Sequence, residues 1–278
     1  LEARRGGYEG IRIFEQNLEK TYEERIDMEN DFHDAVMNQE IKVVFQPKFR
    51  TWGALYGFEA LARWERTGVG NISPEVFVSL AEETGLIVEM GLMIARRAFE
   101  FQVELTEMGV APEGNVSINI SPVQLAENDF VERLVAVARE AGADVAHIGL
   151  EITESIFIGD KQSIIEKLER LRREGFKIYL DDFGKDYSNF SYLEDLPLDY
   201  IKIDKEFIKR LEREGNSKLI VKSIIDLTHS LGCRVVAEGV ETERQLELLK
   251  DLNCDFIQGF LKGRPVCISD AYEIAKIG

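Results

Sequence analysis

The sequence predicts an α/β fold, a modified (β/α)8 barrel with an antiparallel strand near its start, and two observations carry that expectation. From Ile41 onward, short apolar runs of strand type alternate with helical patterns, and about eight such runs favour a closed barrel over an open doubly wound sheet. The connection between the first two runs is only about six residues. That is too short for a crossover helix, so these two strands pair antiparallel.

The elements follow in order. Leu1 to Ile13 is rich in Arg and Gly, and Ile11-Arg12-Ile13-Phe14 reads as a short strand. Glu15 to Glu40 is highly charged but places Leu18, Tyr22, Ile26, Met28, Phe32, Val36 and Met37 at near-helical spacing, which predicts a linker helix. Strands are predicted near 41–47, 54–63, 115–120, 147–152, 176–181, 199–203, 233–238 and 254–258. Helices are predicted over about 75–84, 87–109, 122–141, 161–174, 217–231 and 241–252. Ser73-Pro74-Glu75 offers an N-cap, a proline for the first helical position and an acid in the first turn, and Ser121-Pro122 repeats the device. Gly175 and Gly232 supply stops.

A chain of 278 residues with 45% apolar and 31% charged residues is long enough for one barrel with a substantial core. The formal charge of −17 argues against a nucleic-acid polymer or an anionic membrane as partner. No membrane span or signal peptide is legible. Cys233, Cys254 and Cys267 form no disulfide set and read as reduced, buried thiols of a cytoplasmic chain. Starting without Met, the chain reads as a fragment of something longer, whose other segments could attach it to a membrane.

Seven apolar runs share a further property. They contain or end in Glu59, Asn119, Glu151, Asp181-Asp182, Lys202 with Asp204, Glu238 and Gln258. Six of these seven positions fall at strand ends, where barrel active sites gather, and Glu59 alone lies inside its strand, reaching the mouth if that strand runs the other way. Recurring carboxylates, an amide and a lysine at one mouth suggest a metal site for phosphate chemistry. Asp181-Asp182 is the most informative pair. Neighbouring strand residues face opposite ways unless the strand is ending, so the pair reads either as a metal bridge or as an N-cap and loop pair. Two-metal hydrolysis needs a bridge holding ions about 3.5–4 Å apart. Oxygen donors suit Mg²⁺ or Mn²⁺.

These residues carry a resemblance. Phe58-Glu59-Ala60-Leu61-Ala62-Arg63-Trp64 resembles the signature of the EAL-domain family of cyclic di-GMP phosphodiesterases, and the likeness runs from about Val43 to Pro265. It takes in Phe45-Gln46-Pro47, Ser73-Pro74 through Ile87, Ser117-Ile118-Asn119-Ile120-Ser121 and Glu151-Ile152-Thr153-Glu154. It continues through Asp181-Asp182-Phe183-Gly184, Lys202-Ile203-Asp204, Ala237-Glu238-Gly239-Val240-Glu241-Thr242 and Gln258-Gly259-Phe260-Leu261. Each motif alone is weak, whereas the ordered set is specific.

The resemblance implies that Glu59, Asn119, Glu151 and Asp181 hold one Mg²⁺ or Mn²⁺, and that Asp181 bridges to a second ion bound by Asp182 with Glu238 nearby. Lys202 would orient the attacking water, Arg63 grip a phosphate, and Gln46, Leu61, Asp204, Gln258 and Glu241 complete the mouth. Glu154 would anchor the loop after Asp181-Asp182. The implied reaction is hydrolysis of cyclic di-GMP to linear pGpG by a two-metal-activated water, in a homodimer. The alternative is a catalytically weak or silent cyclic di-GMP receptor. The histidines, His33, His147 and His229, lie away from these motifs, which disfavours an HD-type metal phosphodiesterase.

Two departures stand out. The loop after Gly184 reads Lys185-Asp186-Tyr187-Ser188-Asn189 where active members usually carry Thr-Gly-Tyr-Ser-Ser, and Lys48-Phe49-Arg50 replaces an apolar-acidic continuation after Gln46-Pro47. Residues 1–26 read as a linker, with Arg4 through Phe14 resembling the tail of a GGDEF domain, and 27–278 as the EAL domain.

Overall fold

The turn at Thr51–Ala54 decides how the sheet closes. The Arg50 N–H donates to Ala54 O at 2.8 Å and the Gly53 N–H to Arg50 O at 2.8 Å. Gly53 takes φ 111°, a conformation cheap only for glycine. The computed structural model describes residues 8–109, 116–157, 161–184, 193–212 and 215–277. Its elements begin with α1 (Tyr8–Met37), β1 (Lys42–Arg50), β2 (Leu55–Arg66), β3 (Gly70–Ile72), α2 (Pro74–Thr84), α3 (Ile87–Glu107) and β4 (Val116–Asn119). Next come α4 (Pro122–Ala126), α5 (Phe130–Ala141), β5 (Ile148–Thr153), α6 (Lys161–Glu174), β6 (Lys177–Phe183), β7 (Tyr200–Ile203) and α7 (Lys205–Lys209). The chain finishes with α8 (Ser217–Ser230), β8 (Arg234–Ala237), α9 (Glu243–Asp251), β9 (Phe256–Gln258) and α10 (Ile268–Ile277).

The chain divides into two compact units, Leu1–Lys42 with Arg63–Leu86, and Val43–Ala62 with Ile87–Gly278. In the smaller unit, Phe32 of α1 meets Trp64 of β2 edge-on at 5.0 Å between ring centroids, and Phe77 of α2 lies 6.1 Å from Phe32. Asp31 accepts from Arg66 at 2.6 Å at the rim of this aromatic cluster. Met37, one of the periodic apolar residues of α1, is exposed.

The larger unit is the barrel. Its strand order is β1-β9-β8-β7-β6-β5-β4-β2, with β1 also pairing β2 to close the ring. All neighbours from β2 through β9 around the ring are parallel, and β1 alone opposes β9. The predicted antiparallel pair is therefore present, but the reversed member is β1. The strand carrying Glu59 runs with the others, contrary to the expectation, so Glu59 reaches the mouth without any reversal.

Other differences have local causes. Ile11–Phe14, expected as a strand, lies inside α1, because a four-residue run gains little as a strand without a partner. The single helix expected over 122–141 is two, broken where Glu127 turns extended at ψ 133°. Ser121 caps the first with a reciprocal box to Gln124 as the motif suggests, whereas Ser73 occupies the N-cap position of α2 without a side-chain hydrogen bond. The sequence reading missed the short β3 and α7, and also the ten-residue α10. Cys233 and Cys254 are buried, but Cys267 is exposed.

The interior of the barrel is stacked in layers of period two, as inward-facing strand residues must be. Tyr56, Tyr179, Tyr200, Val236 and Phe256 form one buried layer. Tyr179 stacks on Tyr200 at 4.1 Å with planes 5° apart, and the Tyr56 and Tyr200 hydroxyls are hydrogen-bonded. A Cβ on Gly149 would stand 2.7 Å from the Tyr179 ring, which explains the glycine there. Two residues further along the same strands stand Glu151, Asp181, Lys202, Glu238 and Gln258. The polar site is thus the next layer above an aromatic floor.

Candidate metal centre at the barrel mouth

Parallel pairing brings the strand-end residues together from positions far apart in the chain. Asn119 is in register with Glu151, Thr153 with Asp181, and Lys202 with Val236 two residues before Glu238. Glu59, Glu151 and Asp181 each present a carboxylate oxygen within 4.8 Å of the others, and Asp181, Asp182 and Glu238 form a second such group. Asp181 belongs to both groups, the arrangement a bridging ligand requires.

Asp181 and Asp182 reach the same site because the backbone breaks its alternation there. Asp182 adopts φ 54°, and the register of β6 on β7 shifts between Leu180 and Phe183. A left-handed aspartate costs on the order of 1–3 kcal/mol, a strain that recurs at functional sites. Asp181 Oδ1 accepts the Asp182 N–H at 2.8 Å, which steadies the bend.

Lys202 is the hub. Its side chain is 1% exposed, and Nζ lies 3.3 Å from Glu59 Oε2, 3.1 Å from Asp181 Oδ1 and 2.8 Å from Glu238 Oε1, with Glu151 Oε2 as a further partner. Glu59 also accepts from Asn119 Nδ2 at 2.7 Å and from Gln258 Nε2 at 2.7 Å. Lys48, which the motif reading left without a role, is a second buried ammonium. Its Nζ donates to Ser117 Oγ at 2.7 Å, lies 3.5 Å from Glu151 Oε1 and sits 4.8 Å from the Tyr179 ring centroid. The signal for it was available, since Gln46 and Lys48 share one face of β1 and Gln46 was already assigned to the mouth.

Two ammonium groups facing four carboxylates leave an excess of negative charge in a poorly hydrated space. Burial pushes the Glu238 carboxyl up to about 7, with Glu59 and Glu151 adding to the effect and Lys202 opposing it. Burial and the neighbouring Glu238 raise Asp181 well above the carboxylate range against the pull of Lys202. Burial works against ionisation of Glu59 too, yet Lys202, Lys48, Gln258 and Asn119 together hold it down at about 2. Burial lowers the Lys48 ammonium, with Glu151 and Glu59 opposing.

Such a cluster fits a divalent cation. Its donors are oxygens with one amide, which suits Mg²⁺ or Mn²⁺ over softer metals. Gln258, whose Nε2 donates to Glu59, has a buried Oε1 without a hydrogen-bond partner among the described residues. An acid with a raised folded pKa stabilises the fold while protonated. The metal-free protein should therefore lose stability as pH rises from about 4.5 to about 7 through Glu238. A divalent ion must displace that proton, so Mn²⁺ affinity is expected to rise over the same window with proton release. Calorimetry in buffers of different ionisation enthalpy measures both. A pH-independent affinity would contradict the charge assignment.

The remaining predicted residues take varied places. Gln46 donates to Gly263 O at 3.2 Å and accepts from Gln258 at 3.2 Å, so the two amides form one buried edge of the mouth. Glu154 accepts the Gly184 N–H at 2.9 Å, anchoring the point where the altered loop begins. The loop positions Lys185 to Asn189 lie outside the described residues. Asp204 is buried and caps α7 by accepting the Glu206 N–H at 2.7 Å. Glu241 is exposed and outside both carboxylate groups, while its N–H donates to Gln245. Leu61 and Arg63 are half-buried on β2 beyond Glu59.

Comparison with known proteins gives the family. The EAL domain family model matches residues 29–265. Over 261 residues the chain is 36% identical to the bifunctional diguanylate cyclase/cyclic di-GMP phosphodiesterase MucR of Pseudomonas aeruginosa, an alignment covering 94% of this chain and 38% of MucR. It is 33% identical to the oxygen sensor protein DosP of Escherichia coli, across 95% of this chain and 33% of that protein. The chain thus spans roughly a third of these relatives. Among solved structures it resembles the PaMucR phosphodiesterase in complex with c-di-GMP, with TM-score 0.81, 37% identity and coverage of 87% and 98%. The EAL enzyme Bd1971, bound to cAMP and cyclic-di-GMP, superposes with TM-score 0.86 at 30% identity, covering 95% of this chain and 73% of that one. With its signature glutamate, its paired aspartates and its buried lysine in one mouth, the chain belongs to the EAL domain family.

Proposed function

We propose that the chain is a metal-dependent phosphodiesterase that opens cyclic di-GMP to linear pGpG. The observation that carries this reading is the convergence of Glu59, Glu151, Asp181 and Glu238 on Lys202, with Asp182 joining Asp181 and Glu238 in a second carboxylate group. Glu59, Asn119, Glu151 and Asp181 would hold one Mg²⁺ or Mn²⁺, and Asp181, Asp182 and Glu238 a second. Such ions supply a low-pKa water and neutralise the carboxylates that would otherwise repel a phosphate.

The protein's own groups do the rest. Lys202, already charged and fixed by four carboxylates, orients the attacking water and keeps its ammonium directed at the reacting phosphate. The open acceptor of Gln258 takes a proton-bearing group of the substrate or its water. Arg63, at its motif position, grips a phosphate bidentately. Burial of the cluster excludes bulk water, so each of these interactions acts at low dielectric. Residues 1–26 would then link this domain to a preceding GGDEF domain, and two copies would pair through the face near the altered loop.

Product chromatography tests the reading. Cyclic di-GMP incubated with the chain and Mn²⁺ should yield pGpG, whereas intact nucleotide co-eluting with the protein would favour the receptor. The loop departure gives that second reading its basis. Restoring Thr-Gly at Lys185-Asp186 is expected to raise turnover several-fold at saturating Mn²⁺, since glycine reaches φ > 0 at little cost. An unchanged rate would remove the loop as the limit.

A further inference from the structure

We infer that Lys48 is a built-in counter-cation of the metal centre, which occupies one oxygen of Glu151 and thereby weakens the site's hold on divalent metal. This rests on the metal reading above. The side chain is completely buried, directed into the barrel from the one reversed strand, and stands between the aromatic floor and the carboxylates. Three contacts fix it: Ser117 Oγ at 2.7 Å, Glu151 Oε1 at 3.5 Å and the Tyr179 ring at 4.8 Å.

Glu151 shows the consequence. Its Oε2 faces Lys202 and its Oε1 faces Lys48, so both oxygens of one buried metal-ligand candidate lie against an ammonium. Lys202 also contacts three other carboxylates and is shared among them. Among the described residues Lys48 has a single carboxylate within ion-pair distance, and it is tied to Ser117 as well. A fixed positive charge a few ångströms from an incoming cation raises the free energy of the metal-bound state. The same charge lowers that of the metal-free state by relieving repulsion among the carboxylates. Lys48 thus keeps the barrel folded without metal and makes occupancy depend on the concentration of free metal.

The opposite sign would follow if Lys48 merely held Glu151 in place, because its loss would then loosen a ligand and weaken binding. The two roles therefore separate on the direction of a single measurement. Metal-stripped wild type, Lys48→Met and Lys48→Gln are titrated calorimetrically with Mn²⁺, and each is melted in chelator and in Mn²⁺. Methionine removes the charge at similar volume. Glutamine removes it while keeping a donor for Ser117, which guards against a variant that fails to fold. Both variants are expected to bind Mn²⁺ on the order of tenfold more tightly, to melt lower than wild type in chelator, and to gain more from metal. Equal or weaker affinity in the variants overturns the inference while wild-type binding leaves the metal reading standing. Absence of binding in all three proteins overturns both.

Discussion

Lys202→Met is expected to produce the largest loss of any single substitution in the barrel, in both stability and turnover. The ammonium is the common partner of Glu59, Glu151, Asp181 and Glu238, and methionine leaves those four carboxylates facing one another with only Lys48 beneath Glu151. Removing one partner of a buried ion cluster costs about 3–5 kcal/mol. Denaturant unfolding in chelator should show a loss of that size, and Mn²⁺ should restore part of it by replacing the missing positive charge. Turnover should fall by more than about 100-fold and stay low at saturating Mn²⁺, because metal replaces the charge but not the directed donor. A variant unfolding at the wild-type denaturant concentration would show that Lys202 is not the hub described.

Glu59→Ala should separate catalysis from folding. Lys202 keeps three carboxylate partners when Glu59 is gone, so no ammonium is stranded, and repulsion within the cluster falls. Asn119 Nδ2 and Gln258 Nε2 do lose their acceptor, which costs about 1–3 kcal/mol where no water replaces it. Against that modest change, losing a metal ligand should reduce turnover by more than about 100-fold and weaken Mn²⁺ binding similarly. Glu59→Gln, which keeps the shape, should be as inactive as alanine. Undiminished turnover in either variant would remove the carboxylate group from the chemistry.

The barrel was legible because its strands are buried on both faces and read as uninterrupted apolar runs, each closed by a polar residue at the mouth. The convergence of Glu59, Glu151, Asp181, Asp182 and Glu238 at one mouth was legible for the same reason. What the sequence did not disclose was strand direction. A short connection requires Lys42–Arg50 and Leu55–Arg66 to oppose each other, but nothing local says which of them departs from the other strands. That depends on β1 pairing with β9, a partner more than two hundred residues away. The bend at Asp182 was anticipated only as a strand end, and the left-handed φ that makes it work has no single-residue signature. Lys48 was legible only as a neighbour of Gln46 on one face of β1, and it is closure of the barrel that buries it beside Glu151. Asp204 carries a role that motif reading alone did not give, because its side chain also starts α7.

The central claim is that this carboxylate–lysine cluster is a metal-dependent hydrolytic centre. The most direct test is the rate at which metal-stripped protein converts cyclic di-GMP to pGpG as Mn²⁺ is added back. The account predicts no product in chelator and a rate that rises to saturation with Mn²⁺, faster at pH 8 than at pH 6 when metal is limiting. Product formed at the same rate in chelator, or nucleotide left intact at saturating Mn²⁺, would contradict it.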